Sequence, residues 1–148
     1  MNKTERKEKI KDIITLVDNA IYEVDADSIT IDEAFKKIED LNWYLEENCI
    51  VPDGFDAEDM KSDILIEYID NSSIIEEFID EISNLKEEIY DEFTEMKEGS
   101  NRREEWEEFY YNLEDCEPNL DVHDAEIYDM EALKDKLEEA KTDLENLI

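Results

Sequence analysis

With 148 residues, 41% of them hydrophobic and 9% aromatic, the chain has enough length and apolar content to build a core, which excludes an acidic disordered tail. Its 47 Asp and Glu against 15 Lys and Arg leave a net charge of −32, which excludes nucleic acid and anionic membrane as direct partners. Two Gly and two Pro leave few tight turns for a sheet, so the expected fold is all-α: a compact bundle of about six helices in a single domain over residues 1–148.

Ile10, Ile13, Ile14, Val17, Ile21 and Val24 form the first helical stripe, predicting a helix from about Thr4 to Asp25. Its opening is basic: Lys3, Arg6, Lys7, Lys9 and Lys11 exceed Glu5 and Glu8 by three, so residues 12–148 sum to −35. Two roles are open to these cations, a docking arm or a lining laid against the chain's own acids. Thr30 and Glu33 have the spacing of a capping box, predicting a second helix with Ala34, Phe35, Ile38, Leu41 and Leu45 inward. After Pro52-Asp53-Gly54, Met60, Ile64, Leu65, Tyr68 and Ile69 mark a third helix, interrupted at Asn71 and Ser72.

Ser73 and Glu76 make a second capping box, opening a long helix that buries Ile74, Ile75, Phe78, Ile82, Leu85, Ile89, Phe93 and Met96 and ends at Gly99. A fifth helix carries Trp106, Phe109, Tyr110 and Leu113 inward and stops before Pro118. The sixth shows Met130, Leu133, Leu137, Ala140, Leu144 and Leu147 at alternating steps of three and four, a heptad seam that either closes the bundle or makes a homodimer through this C-terminal helix.

Residues 25–33 have oxygen ligands placed somewhat like a calcium loop, but Ile29, Thr30 and Lys36 stand where a ligand, the glycine and the last carboxylate are required, so they read as a loop capping the second helix. Cys49, Cys116 and His123 lack the paired spacing of structural zinc or a defined thiol and base, and both cysteines are expected reduced and buried. No glycine-rich phosphate loop occurs. The expectation is therefore no catalytic residue, no metal, no cofactor and no enzymatic activity. No apolar run reaches the roughly 20 residues of a membrane span, and Met1–Arg6 lacks the apolar stretch of a signal peptide, so a cytoplasmic location is expected.

The outstanding signal is the arrangement of acids. Between Glu104 and Glu131 there is no Lys or Arg, and helical rotation puts Glu104, Glu108, Tyr111 and Asp115 outward with Glu105, Glu107 and Glu114 flanking; Glu117 and Asp121 follow. The long helix carries two rows, Glu76, Asp80, Glu87, Asp91 and Glu95 beside Glu77, Glu81, Glu88 and Glu92. Acid pairs four apart each cost about 0.2 to 0.5 kcal/mol, a loss that alternating Glu with Lys would reverse, as Lys134, Glu138, Lys141 and Glu145 partly do. Such a surface suits a cationic cavity. Tyr111 and Trp43 are candidate aromatic contacts, Trp43 being equally suited to the core.

A small, helical, strongly acidic chain with carboxylate rows resembles the DNA-mimic inhibitors of phages and mobile elements. The stretch Glu104-Glu105-Trp106-Glu107-Glu108-Phe109-Tyr110-Tyr111-Asn112 is similar to segments of small anti-CRISPR proteins. The resemblance, one of physical class, implies an inhibitor of anti-CRISPR or anti-restriction type, acting in the host cytoplasm. It would enter the DNA- or RNA-binding channel of a basic nuclease, a Cas effector or restriction enzyme. The expected partner-binding residues are Glu104, Glu105, Glu107, Glu108, Tyr111, Glu114, Asp115, Glu117, Asp121, Glu76, Asp80, Glu87 and Asp91. Two other readings stand beside it: an immunity-type binding module for some other basic protein, and a structural helical protein whose charge serves solubility.

Overall fold

The computed structural model describes residues 1–148 and contains five helices and no strand. They are α1 (Lys3–Glu47), α2 (Ala57–Asn71), α3 (Ser73–Thr94), α4 (Asn101–Asp115) and α5 (Met130–Glu145). The all-helical expectation holds, but the first two expected helices are one. Residues 25–33, read as a loop, are helical throughout. Nothing between Lys3 and Glu47 is a Gly or Pro, so no local signal stops propagation, and Thr30 with Glu33 sits mid-helix as an unused capping pair. Tertiary contacts hold the join: Lys134 of α5 bonds Asp25 at 2.9 Å, and the Tyr68 hydroxyl of α2 donates to Asp27 at 2.8 Å.

α1 stops in a two-bond hairpin of backbone. Ile50 N–H reaches the Leu45 carbonyl at 2.9 Å and Cys49 N–H reaches Glu46 at 3.1 Å, with Cys49 at φ 55°, the left-handed residue this stop requires. Asp56 then caps α2 by accepting from the N–H groups of Glu58 and Asp59. Ser72 both ends α2, donating its N–H to Ile69, and begins α3, its Oγ accepting from Ile75 N–H at 3.3 Å. The cap is thus one residue earlier than the Ser73–Glu76 pattern predicts. α3 also ends early, at Thr94, leaving Met96 beyond it. Gly99, at φ 78°, belongs to the turn that delivers Ser100 as the cap of α4.

The N-terminal half of α1 is the spine, with Ile10, Ile13, Val17, Ala20 and Val24 buried. α5 and α3 pack on it and α4 packs on α3. The pairs Lys141–Asp18 and Lys134–Asp25 make α5 antiparallel to α1, and Met1 with Glu92 and Lys9 with Glu88 do the same for α3. The α5 seam of Met130, Leu133, Leu137, Ala140 and Leu144 is buried in the chain's own core, so it closes the bundle. Truncating a leucine there to alanine costs about 2 to 5 kcal/mol. Beyond Val24 the cover thins. The distal half of α1 buries only Phe35 and Ile38, against α2, and Leu41, assigned to this apolar face, is exposed.

Candidate functional site

Twelve carboxylates were expected to bind a partner, and packing divides them. Three are engaged within the chain. Glu105 takes Lys3 at 3.0 Å and Arg6 at 3.3 Å; hydrogen bonding from Lys3 leads, with Arg6 adding, in holding its carboxyl below the ordinary carboxylate range. Glu107 takes the Arg103 guanidinium at 2.9 Å from one turn earlier on α4, and Glu117 takes Lys86 of α3 at 3.3 Å. Glu105, Glu107 and Glu117 are thus already paired within the chain. The other nine, Glu76, Asp80, Glu87, Asp91, Glu104, Glu108, Glu114, Asp115 and Asp121, are exposed and none forms an ion pair.

The basic start of α1 accounts for the division. It lies against the inner row of α3, with Lys9 on Glu88 and the Met1 ammonium on Glu92 at 2.6 Å, and against Glu105 of α4. Of the two roles open to these cations, the structure shows the lining for Lys3, Arg6 and Lys9, while Lys11 pairs with Glu8 of its own helix and Lys7 forms no ion pair. The row Glu77, Glu81, Glu88, Glu92 is thereby half neutralised, while Glu76, Asp80, Glu87 and Asp91 on the other side are not. The like-charge pairs 76 with 80 and 87 with 91 keep their cost of about 0.2 to 0.5 kcal/mol each.

α4 packs on α3, and the ring contacts of Tyr90 with Tyr110 and of Tyr110 with Tyr111 join the outer row of α3 to α4. Two of the clefts along α3 carry the unpaired acids Glu76, Asp80 and Glu87. One, of about 500 Å³, joins Asp70, Glu76, Asp80 and Asp121 around Ile79 and Leu120, bringing Asp121 from the loop to the α3 row. Asp121 is also a local cap, accepting from the N–H groups of His123 and Asp124. The other, of about 610 Å³, is lined by Ser83, Lys86, Glu87, Tyr90, Asp91 and Tyr110. Here Tyr90, Tyr110 and Tyr111 form a chain of ring contacts, with centroids 5.9 Å and 5.4 Å apart, and Tyr90 also meets Phe93 edge-on at 5.2 Å. Tyr111, expected outward, is exposed.

The sequence reading missed Tyr90, which is exposed on α3 beside Glu87, and took Tyr110 as fully inward where it is half-buried. Tyr90 falls outside the buried stripe of Ile89 and Phe93 by one position, the only signal that could have found it.

Cys116 is buried at the end of α4 and donates its thiol to the Asn112 carbonyl at 3.2 Å; burial first, then Asp143 and Asp115, pushes it up to about 12. Cys49 is exposed, correcting the expectation that both cysteines are buried. No three His, Cys, Asp or Glu side chains gather in metal-binding geometry. No helix is long and apolar enough to cross a membrane. No protein-family model, curated protein or solved structure matches the chain.

Proposed function

We propose that the chain is a nucleic-acid-mimicking inhibitor whose α3–α4 face enters the cationic DNA- or RNA-binding channel of a defence nuclease, a Cas effector or restriction enzyme, and excludes nucleic acid. The observation that carries this reading is the selective pairing. The chain's own cations neutralise half of the inner row of α3 and Glu105 and Glu107 of α4, and leave unpaired the outer carboxylates of both helices, beside the exposed Tyr90 and Tyr111. Charge serving solubility alone has no need of rows of carboxylates left unpaired and set with exposed aromatics.

Glu76 to Asp91 spans about 22 Å at 1.5 Å per residue and carries four of these carboxylates; α4 adds Glu104, Glu108, Glu114 and Asp115 alongside. A duplex of that length holds about 13 phosphates and one strand about six or seven. Eight charges therefore resemble one strand more than both, which favours a channel for guide or displaced single strand. Aromatic rings between the charges suit such a channel, where bases stack on side chains.

The test is displacement of a fluorescent oligonucleotide from purified Cas effectors and restriction enzymes. The parent chain is expected to displace it, less effectively as salt rises. The variant carrying Glu104→Gln, Glu108→Gln, Glu114→Gln and Asp115→Gln is expected to keep its circular dichroism and lose at least about tenfold in potency, a change of about 1.4 kcal/mol. Equal potency of this variant overturns the assignment of the face, and no displacement from any enzyme overturns the function.

A further inference from the structure

We propose that the tip formed by the end of α1 and the start of α2 is a second docking site, for a cationic amphipathic helix of a partner protein. Of the twelve large apolar side chains exposed on the molecule, six fall within residues 41–60: Leu41, Trp43, Tyr44, Ile50, Val51 and Met60. Trp43 is 63% exposed and Val51 93%. Half of the exposed large apolar side chains falling within twenty residues, in a protein that buries most of its apolar stripes on α3 and α5, marks a contact surface. Trp and Tyr are the side chains that most often anchor one.

Charge selects the occupant. Eight carboxylates lie between Glu39 and Asp59 and no Lys or Arg. Lys61, just beyond, is already bonded to Glu39 at 2.6 Å and lies 3.7 Å from Glu58. A second copy would set two such rims together, each on a chain of net charge −32, so self-association through this tip is opposed. Exposed apolar side chains interspersed with carboxylates are matched by a helix with Leu-like residues on one face and Lys or Arg beside them. Along α1, Trp43 lies nineteen residues past Val24, about 28 Å. That carries the tip past Phe35 and Ile38, the last residues that α1 buries.

Trp43 is its own reporter, because Trp106, the other tryptophan, is only 1% exposed. Titration with a synthetic Leu/Lys amphipathic helical peptide is expected to shift tryptophan emission to the blue and saturate. A peptide of the same composition, scrambled to remove the apolar face, is expected to bind at least about tenfold more weakly. By anisotropy of labelled peptide, the double variant Trp43→Ser, Val51→Ser is expected to lose about tenfold in affinity with its circular dichroism intact. The four-Gln variant of α4, which tests the nucleic-acid channel, is expected to bind the amphipathic peptide like the parent, so loss at one site is separable from loss at the other. Equal binding of the scrambled peptide, parent-like binding by the double variant, or a dimer of the unliganded chain in sedimentation that the double variant abolishes, each overturns the proposal.

Discussion

Arg6 ties the basic start of α1 to α4, and its removal tests whether that contact is structural. Its side chain is only 12% exposed, its guanidinium carbon lies 3.9 Å from the Phe109 ring centre and 4.6 Å from that of Trp106, and one nitrogen reaches Glu105. The rings contribute about 0.5 to 2 kcal/mol each. The buried methylene stem adds about 2 kcal/mol. The ion pair adds under about 1 kcal/mol, because Glu105 is 40% exposed and keeps Lys3. Against these stands Nη1, buried without a hydrogen-bond partner, at a cost of about 1 to 3 kcal/mol.

The balance predicts that Arg6→Ala destabilises by about 2 kcal/mol, or about 4 to 8 °C in Tm for a chain of this size. Arg6→Met keeps most of the packing and removes the unpaired nitrogen, so its loss should be under about 1 kcal/mol. Both variants change the net charge equally, so urea unfolding followed by circular dichroism isolates the packing. Arg6→Ala within about 0.5 kcal/mol of the parent, or Arg6→Met as damaging as Arg6→Ala, refutes the reasoning.

Two more outcomes follow from single groups. One thiol of the native chain, Cys49, should react promptly with an aromatic disulfide at pH 8 and the second, Cys116, only in denaturant; prompt reaction of both refutes the burial. Burial first, and then the bond to Asp27, raises Tyr68 well above the ordinary tyrosine range. A raised folded-state pKa means that its contribution is fully present below about pH 10, the unfolded value, and is lost as pH rises beyond it. Absorbance at 295 nm should therefore show one late-ionising tyrosine that disappears in Tyr68→Phe, and an unchanged titration curve in that variant refutes the assignment.

Much of the architecture was legible in the chain because burial writes itself at helical spacing. The stripes of α3 from Ile75 to Phe93 and of α5 from Met130 to Leu144, and the inward Trp106, Phe109 and Leu113 of α4, are buried as their periodicity requires. The error at residues 25–33 has a physical origin. A capping box is only a potential stop, and whether Thr30 begins a helix or sits inside one depends on α2 and α5 arriving to hold Asp27 and Asp25. The same limit applies to Leu41 and Trp43. A helix carries an apolar side chain whether or not a neighbour covers it, and no neighbouring helix covers these.

The candidate face divides along the same line. Composition and spacing alone determined that acids lie in unrelieved rows on the outer sides of two helices, because a helix places residues three and four apart together whatever surrounds it. Which acids remain free was decided by tertiary structure: pairing across the sequence, Lys3 and Arg6 with Glu105 and Lys86 with Glu117, depends on which helices become neighbours. Charge is counted along a chain, but neutralisation happens across space, and only the packed bundle sets the partners.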